Sequence, residues 1–271
     1  MKAAVFGAGG FIGRHLTDYL RGQGWEVLAL GRGDEAWRGR DLGHVFYCIG
    51  LTADFRTRPF ETVEAHVTFA AEVLRKARYD SFLYCSSTRV YAGADRATET
   101  ARLSVSSADP SDLYNLSKLT GEAICLAAPG ATRVARLSNV FGPGDASDNF
   151  LASLMRDAVT QGRVILRSQT DSEKDYVAVE DVVVALARIA TDGTEPIYNV
   201  AAGRNTSHGR ILAAISRASG CAIQIEPVGP AQVFPVIDVS NLRNLGSWRP
   251  VDVMDRVGGL MSQASFVRNV E

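Results

Sequence analysis

An α/β fold built on a doubly wound parallel sheet, with a smaller α/β lobe toward the C-terminus, is what this sequence predicts. Three observations carry that reading. The chain opens on a short apolar run, "KAAVF", followed at once by glycines and an amphipathic segment. Apolar runs then alternate with segments of helical period, the pattern of βαβ units. Those runs are continuously apolar rather than alternating, as expected of strands covered on both faces.

Taken in order, "KAAVF" is a strand and "FIGRHLTDYLRGQG" a helix. Phe11, Ile12, Leu16, Tyr19 and Leu20 share its apolar stripe, and Gly-Gln-Gly stops it. "WEVLAL" and "HVFYCIG" are the next strands, followed by a helix over Glu61 to Ala77. "SFLYCSS" is a strand, Asp112 to Ala127 a helix and "TRVARLS" a strand. Only about a dozen residues lie between the strands ending at Leu30 and starting at His44, whereas a crossover with its helix takes at least ~10–12. A helix, an extra strand and a second helix do not fit, so the sheet is expected to be truncated by one strand between residues 31 and 43. With "GAGGFIG" turning the first strand into the first helix, residues 1–140 are read as a dinucleotide-binding, Rossmann-like unit. Residues 141–271 are read as a smaller substrate lobe with segments returning to the first. It has helices over Asn149 to Gln161, Val179 to Ala190, His208 to Ala218 and Val251 to Ser265, and short strands at "RVILR", "DYVAV", "IYNVA" and "AIQIE".

Composition narrows the function classes. The 271 residues carry a formal charge of −1, which gives no electrostatic case for nucleic acid or an anionic membrane. At 46% hydrophobic and 22% charged residues a sizeable core is expected and long disorder is not. The first apolar run is too short for a signal peptide, and none approaches the ~20 residues of a membrane span. Cys48, Cys85, Cys125 and Cys221 form no C-x-x-C pair; Cys48 and Cys85 read as buried thiols, which suits a reducing cytoplasm. No metal-ligand pattern is read.

"GAGGFIG" places Gly7, Gly10 and Gly13 at a G-x-x-G-x-x-G spacing between strand and helix. A sharp turn, close approach of the backbone to a pyrophosphate, and tight helix–strand packing each exclude a side chain there. The helix N-terminus at Phe11 and Ile12 then offers free N–H groups to the phosphates. At the end of the second strand, where an acid would read the ribose of NAD, the chain has Gly31 and Arg32. A guanidinium forks well onto a 2′-phosphate, which favours NADP over NAD, with Asp34 near enough to blur the choice.

"YNLSK" puts Tyr114 and Lys118 at i and i+4, on one helix face, and "YCSS" puts Ser86 and Ser87 at a strand end, the edge where α/β sheets bind ligands. Together with "SSTRVYAG", "RLSNVFGPG", "KDYVAVEDV" and "YNVAAG", in that order, these pieces resemble the extended short-chain dehydrogenases/reductases, and within them the NAD(P)-dependent epimerase/dehydratase family. The resemblance implies that Ser87, Tyr114 and Lys118 are catalytic. Tyr114 would exchange a proton with a substrate hydroxyl or carbonyl while hydride moves to or from the nicotinamide. Free tyrosine titrates near ~10, so as a base it needs the help of a cation such as Lys118. Lys118 would also hold the nicotinamide ribose, and Gly50 and Thr52 would join the cofactor-binding residues. Thr88, Asn139 and Lys174 would touch substrate.

The departures from that family are informative. Its dehydratases carry an Asp-Glu pair after the catalytic hydroxyl; here those positions are Thr88 and Arg89, which argues against dehydration. His66 stands where an asparagine is common, and either relays protons or packs. Lys174 stands where an arginine often clamps phosphate, losing the fork but not the charge. With the usual adenine contacts truncated, Asp41-Leu42 is the expected substitute. The function expected is therefore an NAD(P)-dependent epimerase or ketoreductase acting on a nucleotide-sugar, with a homodimer implied by analogy. The alternatives are a non-enzymatic NAD(P)H sensor and a reductase of a small non-nucleotide keto metabolite.

Overall fold

The computed structural model describes residues 1–52 and 54–262. Its first five strands are β1 (Lys2–Phe6), β2 (Glu26–Leu30), β3 (His44–Tyr47), β4 (Ser81–Ser87) and β5 (Ala131–Leu137). A later strand, β9 (Ile197–Val200), joins them in one six-stranded sheet of order β2-β1-β3-β4-β5-β9. All five pairings are parallel. The doubly wound sheet expected from the alternating pattern is therefore the fold observed.

The strands are apolar throughout because alternate residues enter different cores. Ala3, Val5, Leu83 and Cys85 face a cluster closed by Leu16 and Leu20 of α1 (Phe11–Gly22) and by the valines and alanines of α6 (Val179–Asp192). Ala4, Phe6, Phe82 and Tyr84 face the opposite cluster, closed by α3 (Phe69–Lys76) and Cys125 of α4 (Leu113–Ala127). Leu16 and Leu20 have no exposed surface, and burying a side chain of that size is worth ~1.5–3 kcal/mol.

Residues 31–43 form turns and no strand. The segment covers the sheet with one large side chain in place of a crossover helix: Trp37 is buried, its ring 5.9 Å from that of Phe6 and 6.4 Å from that of Phe69. Asp41 bridges Arg78, and the Leu42 N–H donates to the Arg78 carbonyl at 3.0 Å. Both lie just before β3, at the end of the sheet away from the glycine turn. Asp41-Leu42 is consequently not positioned for adenine, and that expectation is corrected: the pair anchors a strand start.

The helix expected over Glu61 to Ala77 is interrupted. It begins as α2 (Pro59–Val63) with proline in its first turn, widens into a π turn over Glu64–Thr68, and continues as α3. A wider turn displaces carbonyls from their usual partners. Here the Tyr47 hydroxyl donates to the Ala65 carbonyl at 2.7 Å and the Tyr84 hydroxyl to the His66 carbonyl at 2.9 Å. The two tyrosines stack with ring centroids 5.7 Å apart, so adjacent strands jointly hold the bulge.

After β5 the chain builds two small sheets. β6 (Asn139–Phe141), β8 (Glu173–Ala178) and β10 (Asn205–Ser207) form the order β10-β8-β6; β7 (Arg163–Leu166) pairs in parallel with β11 (Ala222–Ile225). α5 (Phe150–Gln161), α7 (His208–Ser219) and α9 (Val253–Ser262) pack on them around Met155, Ile211, Ile215 and Val257. α8 (Ser240–Asn244) precedes α9. Gly162 and Gly220 end α5 and α7 in the left-handed conformation that glycine takes without a Cβ penalty. The final residues of the helix expected over Val251 to Ser265, 263–265, lie outside the described residues.

Candidate active site

The site lies at the C-terminal edge of the six-stranded sheet, where the turns after β1, β3 and β4 meet the start of α4. After β1 the Gly7 and Ala8 N–H groups both donate to the Leu30 carbonyl, which ties the turn to β2. Gly7 has φ +82°, and the Gly10 N–H closes the turn on the Gly7 carbonyl at 2.9 Å. A Cβ at Gly13 would overlap the Gly7 carbonyl. The cradle thus requires the absence of side chains at Gly7 and Gly13, which fits a dinucleotide pyrophosphate laid on the backbone at the Phe11 and Ile12 end of α1. Arg32 is exposed just beyond β2, while the Asp34 carboxylate accepts the Ala36 N–H at 2.9 Å within its own turn.

Tyr114 occupies the first turn of α4 and is 4% exposed. Burial raises its pKa above the ordinary phenol value, against a hydrogen bond from Ser87 and the charge of Arg89. Ser87 is the last residue of β4 and its hydroxyl also caps the Arg89 N–H at 3.2 Å. Ser86 points the other way, donating to Glu122 at 2.5 Å. Glu122 in turn is paired with Arg136 at 2.7 Å, both side chains 4% exposed. Alternation along β4 therefore sends one serine to the phenol and its neighbour to a structural ion pair.

Lys118 is buried one turn below Tyr114, and its ammonium donates to the Cys85 carbonyl at 2.9 Å while lying 5.0 Å over the Tyr84 ring. Burial lowers its pKa to about 8, with Cys85, Glu122 and Cys48 opposing. The charge of Arg89 favours the phenolate, and Lys118 is seated one turn below against the strand. Gly50 leaves room here: a Cβ on it would come within 3.3 Å of both the His66 ring and the Lys118 ammonium. Thr52 is exposed two residues further on.

His66 has a determinate tautomer. Its Nε2 accepts the Leu51 N–H at 3.1 Å, so Nδ1 carries the proton and donates to the Ser117 hydroxyl at 2.8 Å. Ser117 donates onward to the Tyr114 carbonyl at 2.9 Å. Burial and the nearby Lys118 charge push the imidazole pKa down to about 2. The ring joins the loop after β3 to the helix bearing Tyr114, which favours packing over a proton relay.

The residues expected at substrate occupy neighbouring strands and turns. Thr88 is buried beside Ser87. Asn139 on β6 is exposed and donates to the Asp175 carbonyl at 2.8 Å. Lys174 on β8 is half-buried with its ammonium 5.6 Å over the Phe150 ring; burial and the charge of Arg89 lower its pKa. Phe55 and Arg56 were not expected here, and Arg89 was expected only as a replacement for a dehydratase acid. Phe55 is buried with its ring 5.6 Å from that of Tyr114, and the Arg56 and Arg89 guanidiniums lie over it at 4.5 and 4.9 Å. The available signal was Arg89 itself, a cation in the place of a catalytic acid.

A parallel dinucleotide sheet with this grouping at its strand ends is the arrangement of the extended short-chain dehydrogenases/reductases. The chain belongs to the NAD dependent epimerase/dehydratase family, whose sequence profile matches residues 3–201. This is a family of nicotinamide-dependent enzymes, and the cofactor is NAD or NADP. A curated relative, dTDP-4-dehydrorhamnose reductase of Mycolicibacterium smegmatis, is 28% identical over 208 residues; the match spans 72% of this chain and 62% of that relative. Among solved structures, MoeE5 in complex with UDP-glucose and NAD superimposes with a TM-score of 0.83 at 22% identity, covering 99% of each chain. RMD from Pseudomonas aeruginosa complexed with NADPH gives 0.81 at 22% identity, covering 98% of this chain and 99% of that one. At such identities these structures establish the fold. Among the described residues, no helix is long and apolar enough to cross a membrane.

Proposed function

We propose that this protein is an NADP-preferring ketoreductase or epimerase acting on a hydroxyl or keto carbon of a nucleotide-sugar. The observation that carries the reading is the meeting of Ser87 with a buried Tyr114 at the strand edge that also holds the glycine turn. Curated and structural relatives that reduce or bind nucleotide-sugars support the substrate class. Exposed Arg32, with Asp34 engaged in its own turn, supports the 2′-phosphate.

The dinucleotide would lie on Gly7, Gly10, Phe11, Ile12 and Gly13, with Gly50, Thr52 and Lys118 toward its nicotinamide end; when bound, it supplies or accepts the hydride. Ser87 donates a hydrogen bond to the substrate oxygen and orients it. Tyr114, its pKa raised by burial, is a protonated phenol at neutral pH and so a proton donor to that oxygen as a carbonyl is reduced. The phenolate takes the proton back in the reverse sense. Lys118 holds positive charge beneath the phenol. Thr88 and Arg89 replace the acid–base pair of dehydration, so the keto group is reduced to the product hydroxyl or is turned over within the site. Asn139 and Lys174 hold the diphosphate.

The test is incubation of the purified protein with a panel of UDP- and dTDP-sugars and their 4-keto forms, with NADPH or NADH, read by mass spectrometry. A gain of two mass units or a retention shift at unchanged mass supports the reading. Conversion of a non-nucleotide ketone alone overturns it.

A further inference from the structure

We propose that Arg89 binds a carboxylate on the sugar ring itself, so that the substrate is a nucleotide-linked uronate. The inference deepens the nucleotide-sugar reading above and rests on it. Arg89 follows the catalytic hydroxyl by two residues, and its backbone N–H is held by Ser87 at 3.2 Å. Its guanidinium carbon lies 5.3 Å over the Tyr114 ring, which places the charge at the reacting end of the site. A diphosphate is separated from the reacting carbon by the sugar, and Lys174 and Asn139 on β8 and β6 already serve that end.

The cations here lack acidic partners. Among the described residues, none of Arg56, Arg89 and Lys174 is in an ion pair. Arg56 and Arg89 both rest on Ser111, donating to its hydroxyl at 3.1 Å and its carbonyl at 3.2 Å. Asp109 and Asp112 face Arg89 from the turn before α4, but Asp109 accepts the Ser111 N–H and Asp112 accepts from the Ser106 N–H and the Asn115 amide. Arg89 is desolvated and faces the like charge of Arg56, and Lys174 that of Arg89; both have lowered pKa values. Of five guanidinium donors, Arg89 uses one on Ser111, which leaves a fork suited to a carboxylate. A ring carboxylate next to the reacting carbinol carbon offsets this charge, whereas a neutral hydroxymethyl group does not.

Titration calorimetry with saturating NADP compares UDP-glucuronate with UDP-glucose. The uronate is expected to bind at least about tenfold tighter, the worth of a charged hydrogen bond. Arg89→Gln should weaken the uronate about tenfold or more and UDP-glucose far less, with Arg89→Lys between. Equal affinity of the unmodified protein for both sugars overturns this inference and leaves the nucleotide-sugar reading standing. Equal weakening of both by Arg89→Gln overturns it too, because the residue then serves the shared diphosphate or the fold. If neither sugar binds while NADP does, this inference falls, and the panel of UDP- and dTDP-sugars decides the nucleotide-sugar reading. Should Arg89→Gln not fold, the unmodified protein's preference and Arg89→Lys still decide.

Discussion

The rings of His66 and Tyr114 meet edge to face, centroids 5.3 Å apart and planes at 90°. That contact comes from a π turn held by two strand tyrosines, and it lets one neutral imidazole brace the residue proposed to carry the proton. Disturbing this brace should be visible first in stability.

His66 titrates near 2 in the fold and near ~6.5 when unfolded, so the unfolded chain binds the extra proton between those values. Its contribution is complete above pH ~6.5 and is lost as the pH falls toward 2. Urea unfolding at pH 7 and pH 5 should therefore show a loss on acidification up to about 2 kcal/mol larger for the unmodified protein than for His66→Asn. An identical pH dependence in the two would rule out the buried neutral ring.

Tyr114→Phe keeps the ring packing on Phe55 and His66 and removes only the hydroxyl. Turnover should fall by ~10²–10⁴ with cofactor affinity and melting temperature near those of the parent. Lys118→Met should reduce both turnover and cofactor affinity. Steady-state kinetics on the substrate found by mass spectrometry, with nicotinamide fluorescence for binding, separates these; parental turnover in Tyr114→Phe would leave "YNLSK" as a helix face only.

NADPH should bind more tightly than NADH, and Arg32→Ala should remove the difference. A charged hydrogen bond to phosphate is worth ~1.5–3 kcal/mol, a tenfold effect or more. Calorimetry giving equal affinities for the two cofactors in the unmodified protein counts against it.

Glu122→Leu strands the Arg136 guanidinium, which is 4% exposed and otherwise bonds the Tyr91 hydroxyl at 2.8 Å. Removing one partner of a buried pair typically destabilises by ~3–5 kcal/mol. Denaturant unfolding should show a loss of that order; a loss below about 1 kcal/mol would mean the pair is not closed as described.

Much of this is legible in the sequence alone. The alternation of apolar runs and helical stripes specified a parallel sheet because both patterns are local consequences of backbone periodicity. The short interval after Leu30 limited what could be built there by length alone. The glycine spacing and the order of Ser87, Tyr114 and Lys118 pointed to one sheet edge as the candidate site, since each stands at a fixed offset from a strand end or helix start.

What sequence spacing does not contain is distance between segments remote in the chain. That Trp37 covers the sheet over the truncated crossover, that Asp41 sits at the wrong end for adenine, and that Lys118 rests on the Cys85 carbonyl depend on how β3, β4 and α4 pack. The π turn at His66 was invisible because its stabilising hydroxyls come from Tyr47 and Tyr84 on other strands. Arg89, Arg56 and Phe55 gather at Tyr114 only when the loop after β3 folds over the turn after β4. The sequence by itself determined the layers, the family and the candidate residues at the sheet edge. The tertiary structure decided which charges meet the phenol, because electrostatic interaction depends on separation and burial in space and not on position along the chain.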